Sequence, residues 1–319
     1  MKHTAGGENM IVTVTMNAAI DKTVELDRFE HGGLNRLKNI VLDAGGKGIN
    51  VSKTIKELGG ETIATGFIGG SSGTTIQRVL NELGIQNDFV EVAGETRTNT
   101  KVVEPNGIVT ELNEPGPVIT EEKLEELMEK LIGYANEDTL FILAGSIPAG
   151  VPKTIYKRII EEVHKKGAKV FSDADGALFL NSLEAKPDII KPNRVELEEY
   201  VKADHKLSGE ELVSIGKDFL KQGIETVAIS MGGEGALFVT KERVVKCPGL
   251  SIKAHSTVGA GDAMVAALSY GMTQNLSFEA CVKLGMATSA GAVTTIGTKP
   301  PKRDVVDELL KQVEIVELN

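Results

Sequence analysis

The sequence predicts an α/β fold: a three-layer sandwich whose mostly parallel central sheet carries a small antiparallel β lid. Two observations lead there. After Pro117, short wholly apolar runs such as Leu140-Phe141-Ile142-Leu143 alternate with amphipathic stretches, the pattern of parallel strands covered by helices on both faces. Before it, the segments Val24 to Leu42 and Phe89 to Asn113 break that alternation and read as an excursion from the sheet. With 319 residues, 41% of them hydrophobic and 25% charged, the chain can bury a full core.

In chain order, Met10 to Met16 is the first strand, and Val24-Glu25-Leu26 and Val41-Leu42 flank a turn at Gly32-Gly33. A helix runs from about Ile49 to Leu58 with Val51, Ile55 and Leu58 as its buried stripe. Thr62 to Ile68 is a strand, Thr74 to Leu83 a helix and Phe89 to Val92 a strand. Thr96 to Asn113 alternates around Pro105-Asn106-Gly107, a hairpin signal. Helices at Thr120 to Tyr134 and Lys153 to Lys166 precede strands at Leu140 to Leu143 and Lys169 to Phe171. Then come Ile189-Ile190, helices near Val195 to Val201 and Gly209 to Gln222, and the strand Thr226 to Ser230. The predicted organisation is residues 1–9 as a leader outside the fold, 10–20, 46–87 and 115–319 as the α/β domain, and 21–45 and 88–114 as the lid.

Composition excludes several classes. A net charge of −10 argues against general affinity for nucleic acid or membrane surfaces, so an anionic substrate needs a local cluster of cations. Cys247 and Cys281 stand far apart, which supports neither a disulfide framework nor a zinc site. No apolar run reaches the ~18 residues of a membrane span, and a cytoplasmic location is expected.

The sharpest motif is Ser256-Thr257-Val258-Gly259-Ala260-Gly261-Asp262, which opens an apolar helix. Free N–H groups and the helix dipole at such a turn suit a phosphate. A carboxylate there repels anions, so Asp262 suggests a base acting on a group about to attack phosphorus; alone, the segment equally describes an N-capped turn. Ligands of parallel sheets sit at the strands' carboxyl ends. Asp21, after the first strand, can accept from sugar hydroxyls or cap a turn. Gly45-Gly46-Lys47-Gly48-Ile49-Asn50 lets backbone approach a ligand beside a cation and an amide. Arg97, Asn99 and Lys101 share one strand face by period two, either a solvated face or, with Lys47, a phosphate clamp. Asn193 and Glu196, three apart at a helix start, suit Mg²⁺ held through water or a simple cap. Ser230-Met231-Gly232-Gly233-Glu234-Gly235-Ala236 is a further strand-terminal glycine loop, and Ala287 to Ala292 is a tract of small residues that suits adenine or tight helix packing.

Taken in order, these motifs, with Thr96-Arg97 and Ala144-Gly145-Ser146-Ile147-Pro148, resemble the ribokinase-like phosphofructokinase B family of sugar kinases. More narrowly they resemble its 1-phosphofructokinase and tagatose-6-phosphate kinase branch, with matching stretches from Thr13 to about Thr298. The resemblance implies ATP as co-substrate, Asp262 as base and Gly259, Ala260 and Gly261 as the anion hole. It implies Lys191, Asn193, Glu196, Ser230, Gly232, Gly235, Ala236, Thr257, Val258 and Ser289 around ATP and Mg²⁺. Asp21, Gly45, Gly46, Lys47, Asn50, Arg97, Asn99, Lys101 and Ser146 would hold the phosphosugar. Fructose 1-phosphate is the favoured acceptor, tagatose 6-phosphate the alternative, and a non-catalytic sensor the competing class. A homodimer through the lid is also implied, with Arg36 at an acceptor site, its own or the partner's, and a monovalent cation near Gly259 is left open. One departure stands out: the branch reads Asn-Pro-Ala where this chain has Asn17-Ala18-Ala19, which is expected to loosen that turn.

Overall fold

The computed structural model describes residues 9–105, 107–252, 257–295 and 297–318. Asn106 of the hairpin turn, Ser256, and residues 1–8 of the expected leader lie outside them; Asn9 does not stand apart from the fold, since its amide donates to the Thr273 carbonyl at 2.7 Å. The chain runs β1 (Met10–Thr15), β2 (Ala19–Glu25), β3 (Asn39–Gly45), α1 (Lys47–Glu57), β4 (Ile63–Ile68), α2 (Gly70–Glu82), β5 (Gln86–Asn87), β6 (Val90–Glu91), β7 (Arg97–Val103) and β8 (Val109–Asn113). It continues with α3 (Glu121–Tyr134), β9 (Thr139–Ala144), α4 (Ile155–His164), β10 (Lys169–Asp173), α5 (Gly176–Glu184), β11 (Ile189–Ile190), α6 (Arg194–Val201) and α7 (Gly209–Lys221). The last part holds β12 (Thr226–Ser230), β13 (Ala236–Thr240), β14 (Val244–Cys247), α8 (Ala260–Thr273), α9 (Phe278–Ala292), α10 (Arg303–Leu310) and β15 (Val316–Leu318).

The central sheet follows the order β15-β14-β13-β12-β11-β10-β9-β1-β4-β5, with β6 also on β4. From β5 to β12 every ladder is parallel, whereas β13, β14 and β15 add antiparallel strands at one end. One face packs against α3 to α7 through residues such as Leu127, Tyr156, Ile159, Leu212 and Phe219. The other packs against α1, α8, α9 and α10 through Val51, Val265, Val282 and Val306. These are the three expected layers.

The lid is a second sheet in the order β3-β2-β7-β8. Its outer ladders are antiparallel as expected, but β2 and β7 run parallel, because the chain leaves for the main domain between them. The expected lid segment 88–114 also begins too early, since β6 pairs with β4 of the central sheet. At the turn Asn17-Ala18-Ala19, which lacks the proline, all three residues are buried, and the Arg97 guanidinium donates to the Asn17 carbonyl at 3.1 Å.

Because β1, β9, β10, β11 and β12 are parallel, their carboxyl ends share one edge. Asn17, Gly145, Asp173, Lys191 and Ser230 therefore lie along one rim, under the lid.

Candidate active site

The site is built around two helix N-termini and a buried carboxylate between them. Gly259 caps α8 in the left-handed region at φ +86°, followed by Ala260, Gly261 and Asp262 in the first turn. A side chain at 261 would have its Cβ 3.2 Å from the Lys191 ammonium, so this glycine lets the lysine lie against the anion-binding turn. Asp262 is 8% exposed and its Oδ2 accepts from the Asn50 amide at 2.9 Å. Burial, then the nearby Asp173 charge, raises its pKa to about 6, against the opposing pull of Lys47, Asn50 and Lys191. A carboxylate so placed is ionised near neutrality yet basic enough to take a proton.

Asn50 and Lys47 come from α1, whose start is two residues earlier than the apolar stripe suggests. Gly46 caps it at φ +108°, and a Cβ at Gly48 would fall 2.4 Å from Thr15 Oγ1, so only glycines let this turn lie on β1. The Lys47 ammonium pairs with Asp173 Oδ2 at 3.4 Å, and Lys191 with Asp173 Oδ1 at 3.0 Å. Asp173 is thus a buried anion between two cations. Burial works against its charge, but Lys191 and Lys47 outweigh it and hold its pKa below the ordinary value. Asp173 in turn holds the Lys47 ammonium well above its usual value, with Asp262 and Glu196 adding to the effect.

The apolar run Val170-Phe171 does not announce Asp173, because the strand continues through the polar Ser172 and Asp173 closes it at its carboxyl end. The sequence also grouped Lys47 with Arg97 and Lys101. The structure places Lys47 with Asp173 instead, while Lys101 lines a separate small pocket with Asp21, Thr23, Val41, Asp43, Gly297, Thr298 and Lys299.

Arg97, Asn99 and Lys101 do share a face of β7, the one that carries Asp21 on β2, through the register Asp21↔Asn99 and Thr23↔Lys101. Asn99 donates to Asp21 Oδ1 at 3.3 Å, and the Thr298 hydroxyl to Asp21 Oδ2 at 3.3 Å. Gly45 is required here, since a Cβ would sit 2.4 Å from Asp21 Oδ2. The buried Arg97 Nε, Asn50 Oδ1 and Asn99 Oδ1 have no hydrogen-bond partner among the described residues. Leaving a donor and two acceptors unpaired is costly, and together they match a ligand that brings both hydroxyls and an anion. Ser146, after β9, is exposed at the same rim.

On the other side of Lys191, Asn193 and Glu196 form a reciprocal capping box at the start of α6. Asn193 bridges to Ser230, which joins this motif to the glycine loop after β12. Gly232 has φ +59° with open space around it, but Gly235 is pressed against the Cys247 carbonyl and Ala236 is wholly buried, so these two shape the loop from beneath. Thr257 and Val258 are exposed beside the α8 turn, and Ser289 is half-buried on α9. Burial raises the pKa of Glu196. The cap uses Asn193 Oδ1, the one side-chain oxygen of that residue, and Glu196 Oε2, which leaves Glu196 Oε1 outside it, and among the described residues no group of three or more His, Cys, Asp or Glu gathers to hold a metal. That donor set fits a Mg²⁺ that keeps most of its waters and leans on substrate phosphates.

A mostly parallel sheet that gathers a buried carboxylate, a glycine-capped helix start and paired lysines along one rim, beneath a small β lid, is the architecture of the ribokinase-like kinases. The sequence profile of the pfkB family carbohydrate kinases matches residues 14–304, and the chain belongs to that family. The 1-phosphofructokinase of Bacillus subtilis is 37% identical over 309 residues, which are 97% of this chain and 100% of that one. That of Haemophilus influenzae is 34% identical over 96% and 97% of the two chains. Phosphofructokinase-2 from Escherichia coli, solved with potassium, superposes with a TM-score of 0.90 at 27% identity, covering 95% of this chain and 98% of that one. Ribokinase from Thermotoga maritima shares the fold, with a TM-score of 0.77 at 24% identity over 95% and 99% of the two chains.

Proposed function

We propose that this carbohydrate kinase transfers the γ-phosphoryl group of ATP to fructose 1-phosphate, giving fructose 1,6-bisphosphate and ADP. The observation that carries the reading is the buried Asp262 at the start of α8, joined to Asn50 on the acceptor side and flanked by Lys191 on the nucleotide side. The relatives named 1-phosphofructokinase along nearly their whole length support the choice of sugar.

In this reading Asp21, Asn50 and Asn99 receive the sugar hydroxyls, while Arg97 and Lys101 hold the existing phosphate. The primary hydroxyl at the far end gives its proton to Asp262 as its oxygen bonds to the γ-phosphorus, and the bond from that phosphorus to the bridging oxygen of ADP breaks. The backbone of Gly259, Ala260 and Gly261 faces the charge on the transferring group. Lys47 and Lys191, tethered to Asp173, neutralise that charge, a role that suits Lys47 better than a grip on the sugar's phosphate. Asn193 and Glu196, with Ser230 and Gly232, attend the nucleotide. Mg²⁺ held at Glu196 through water would supply further neutralisation of the ATP phosphates.

The potassium bound by the Escherichia coli enzyme supports a monovalent cation near Gly259. A homodimer through the lid is supported by the apolar outer face of that sheet, where Ile40, Leu42 and Leu112 are more than half exposed; Arg36 would then reach an acceptor site. A cytoplasmic location belongs with these expectations; no helix of the described residues is long and apolar enough to cross a membrane.

The deciding experiment is kcat/KM with Mg²⁺ and ATP for fructose 1-phosphate, tagatose 6-phosphate and fructose 6-phosphate, following ADP release. A clear preference for fructose 1-phosphate is expected. Preference for tagatose 6-phosphate overturns the substrate, and no turnover on any of them overturns the enzyme.

A further inference from the structure

The lid places two carboxylates directly opposite one another. Asp21 on β2 and Asp43 on β3 are register partners in an antiparallel ladder, and both line the pocket closed by Thr298 and Lys299. Like charges in that position destabilise a sheet, so a purely structural strand would carry something else at 43. The chain keeps the pair by an unusual device. Lys53, in the second turn of α1, is 4% exposed and donates to Asp43 Oδ2 at 2.9 Å and to the Ala44 carbonyl at 2.8 Å. Burying an ammonium is expensive unless it is paired and hydrogen-bonded, and here its bonds fix one oxygen of Asp43 and the backbone beside it. Among the described residues Asp43 Oδ1 has no hydrogen-bond partner.

We propose that Asp43, oriented by Lys53, is a second sugar-reading carboxylate of the acceptor pocket and helps to determine which phosphosugar is accepted. A carboxylate accepts hydrogen bonds from hydroxyls and repels phosphate. The Asp21–Asp43 pair therefore takes hydroxyls of the substrate, while its phosphate goes to Arg97 and to the cations Lys101 and Lys299 that line the same pocket. This rests on the reading of the pocket as the sugar site, and it adds a residue that neither the glycine motif nor the β7 face announces.

The test measures kcat and KM for fructose 1-phosphate, tagatose 6-phosphate and fructose 6-phosphate, KM for ATP, calorimetric Kd for fructose 1-phosphate, and Tm. It compares wild type with Asp43→Asn and with the double variant Asp43→Leu, Lys53→Met, which removes both charges together. Asp43→Asn is expected to raise KM and Kd for the preferred sugar roughly tenfold or more, the loss of one charge-assisted hydrogen bond. It should also narrow the preference among the three sugars, with KM for ATP unchanged. The double variant should show the same sugar defect with Tm near wild type. Wild-type KM, Kd and sugar ranking in either variant would overturn the proposal and leave the pair as a structural ion pair. Failure of the wild type to turn over fructose 1-phosphate would count against the proposed reaction instead, while the Kd comparison still decides the role of Asp43.

Discussion

Asp262 carries a charge that works against the fold holding it. Its pKa in the folded chain is about 6, above the ordinary 3.8, a difference worth about 3 kcal/mol. A raised acid pKa means that the folded state binds the proton more readily than the unfolded one, so stability is greatest below the unfolded value and falls as pH rises through about 6. Asp262→Asn should therefore have a higher Tm than wild type at pH 7.5, with the gap closing toward pH 4. The same variant should lose ~10²–10⁴-fold in kcat while still binding ATP and sugar; near wild-type kcat would remove Asp262 as base. For the wild type, kcat/KM should drop on the acid side with a midpoint near pH 6. Asp173→Asn removes a neighbouring anion and frees Lys47 and Lys191 to favour the ionised base, so that midpoint should move to lower pH. A midpoint that stays or rises would mean that Asp173 does not set the electrostatics of the site.

At the scale of elements, two helices begin with the same reciprocal cap but serve different ends. Ser208 and Glu211 cap α7, on the surface and away from the rim, whereas Asn193 and Glu196 cap α6 beside Lys191. Ser208→Ala should lower stability by about 1 kcal/mol with kcat and KM unchanged. Asn193→Ala should cost a similar amount and also raise KM for ATP several-fold; denaturant midpoints and steady-state kinetics separate the two. The contrast shows what was legible. A cap is visible in the spacing, but whether its carboxylate also faces a ligand depends on Ser230 lying alongside Asn193, a contact that no local pattern contains. In the same way α5 was missed because Gly176-Ala177-Leu178-Phe179 has too short a period to separate from a loop, and β13 because it follows a glycine loop directly. Asp262, Asn50 and Lys191 were readable because each sits at a turn whose glycines or strand end mark it. Asp43 was not, because only the pairing of β2 with β3 sets it opposite Asp21, and Thr298 and Lys299 were not, because only the closing of the lid over the chain from Gly297 to Lys299 brings them to that pair.

For the whole molecule, the period-two pattern foretold the two faces of the lid but not their partners. The inner face, with Asp21, Asp43, Asn99 and Lys101, closes on the main domain. On the outer face Val24 and Val102 are buried, whereas their neighbours Ile40, Leu42 and Leu112 are exposed, and Leu34 and Leu37 extend the apolar surface along the loop that carries Arg36. Apolar side chains gathered on one sheet face are the pattern that interaction surfaces share, and the proposed dimer rests on this face meeting its counterpart on a second lid. The double variant Ile40→Lys, Leu42→Glu places charges on the face of the lid opposite Asp21 and Asp43, so it should convert a dimer to a monomer in sedimentation velocity at micromolar protein. Leu180→Glu, at an equally exposed leucine on α5, should leave the assembly intact. If assembly positions Arg36 at an acceptor site, the monomeric variant should also show a raised KM for the sugar with KM for ATP preserved. A variant that stays dimeric would move the interface elsewhere, and a monomer with an unchanged sugar KM would show that each lid completes its own pocket.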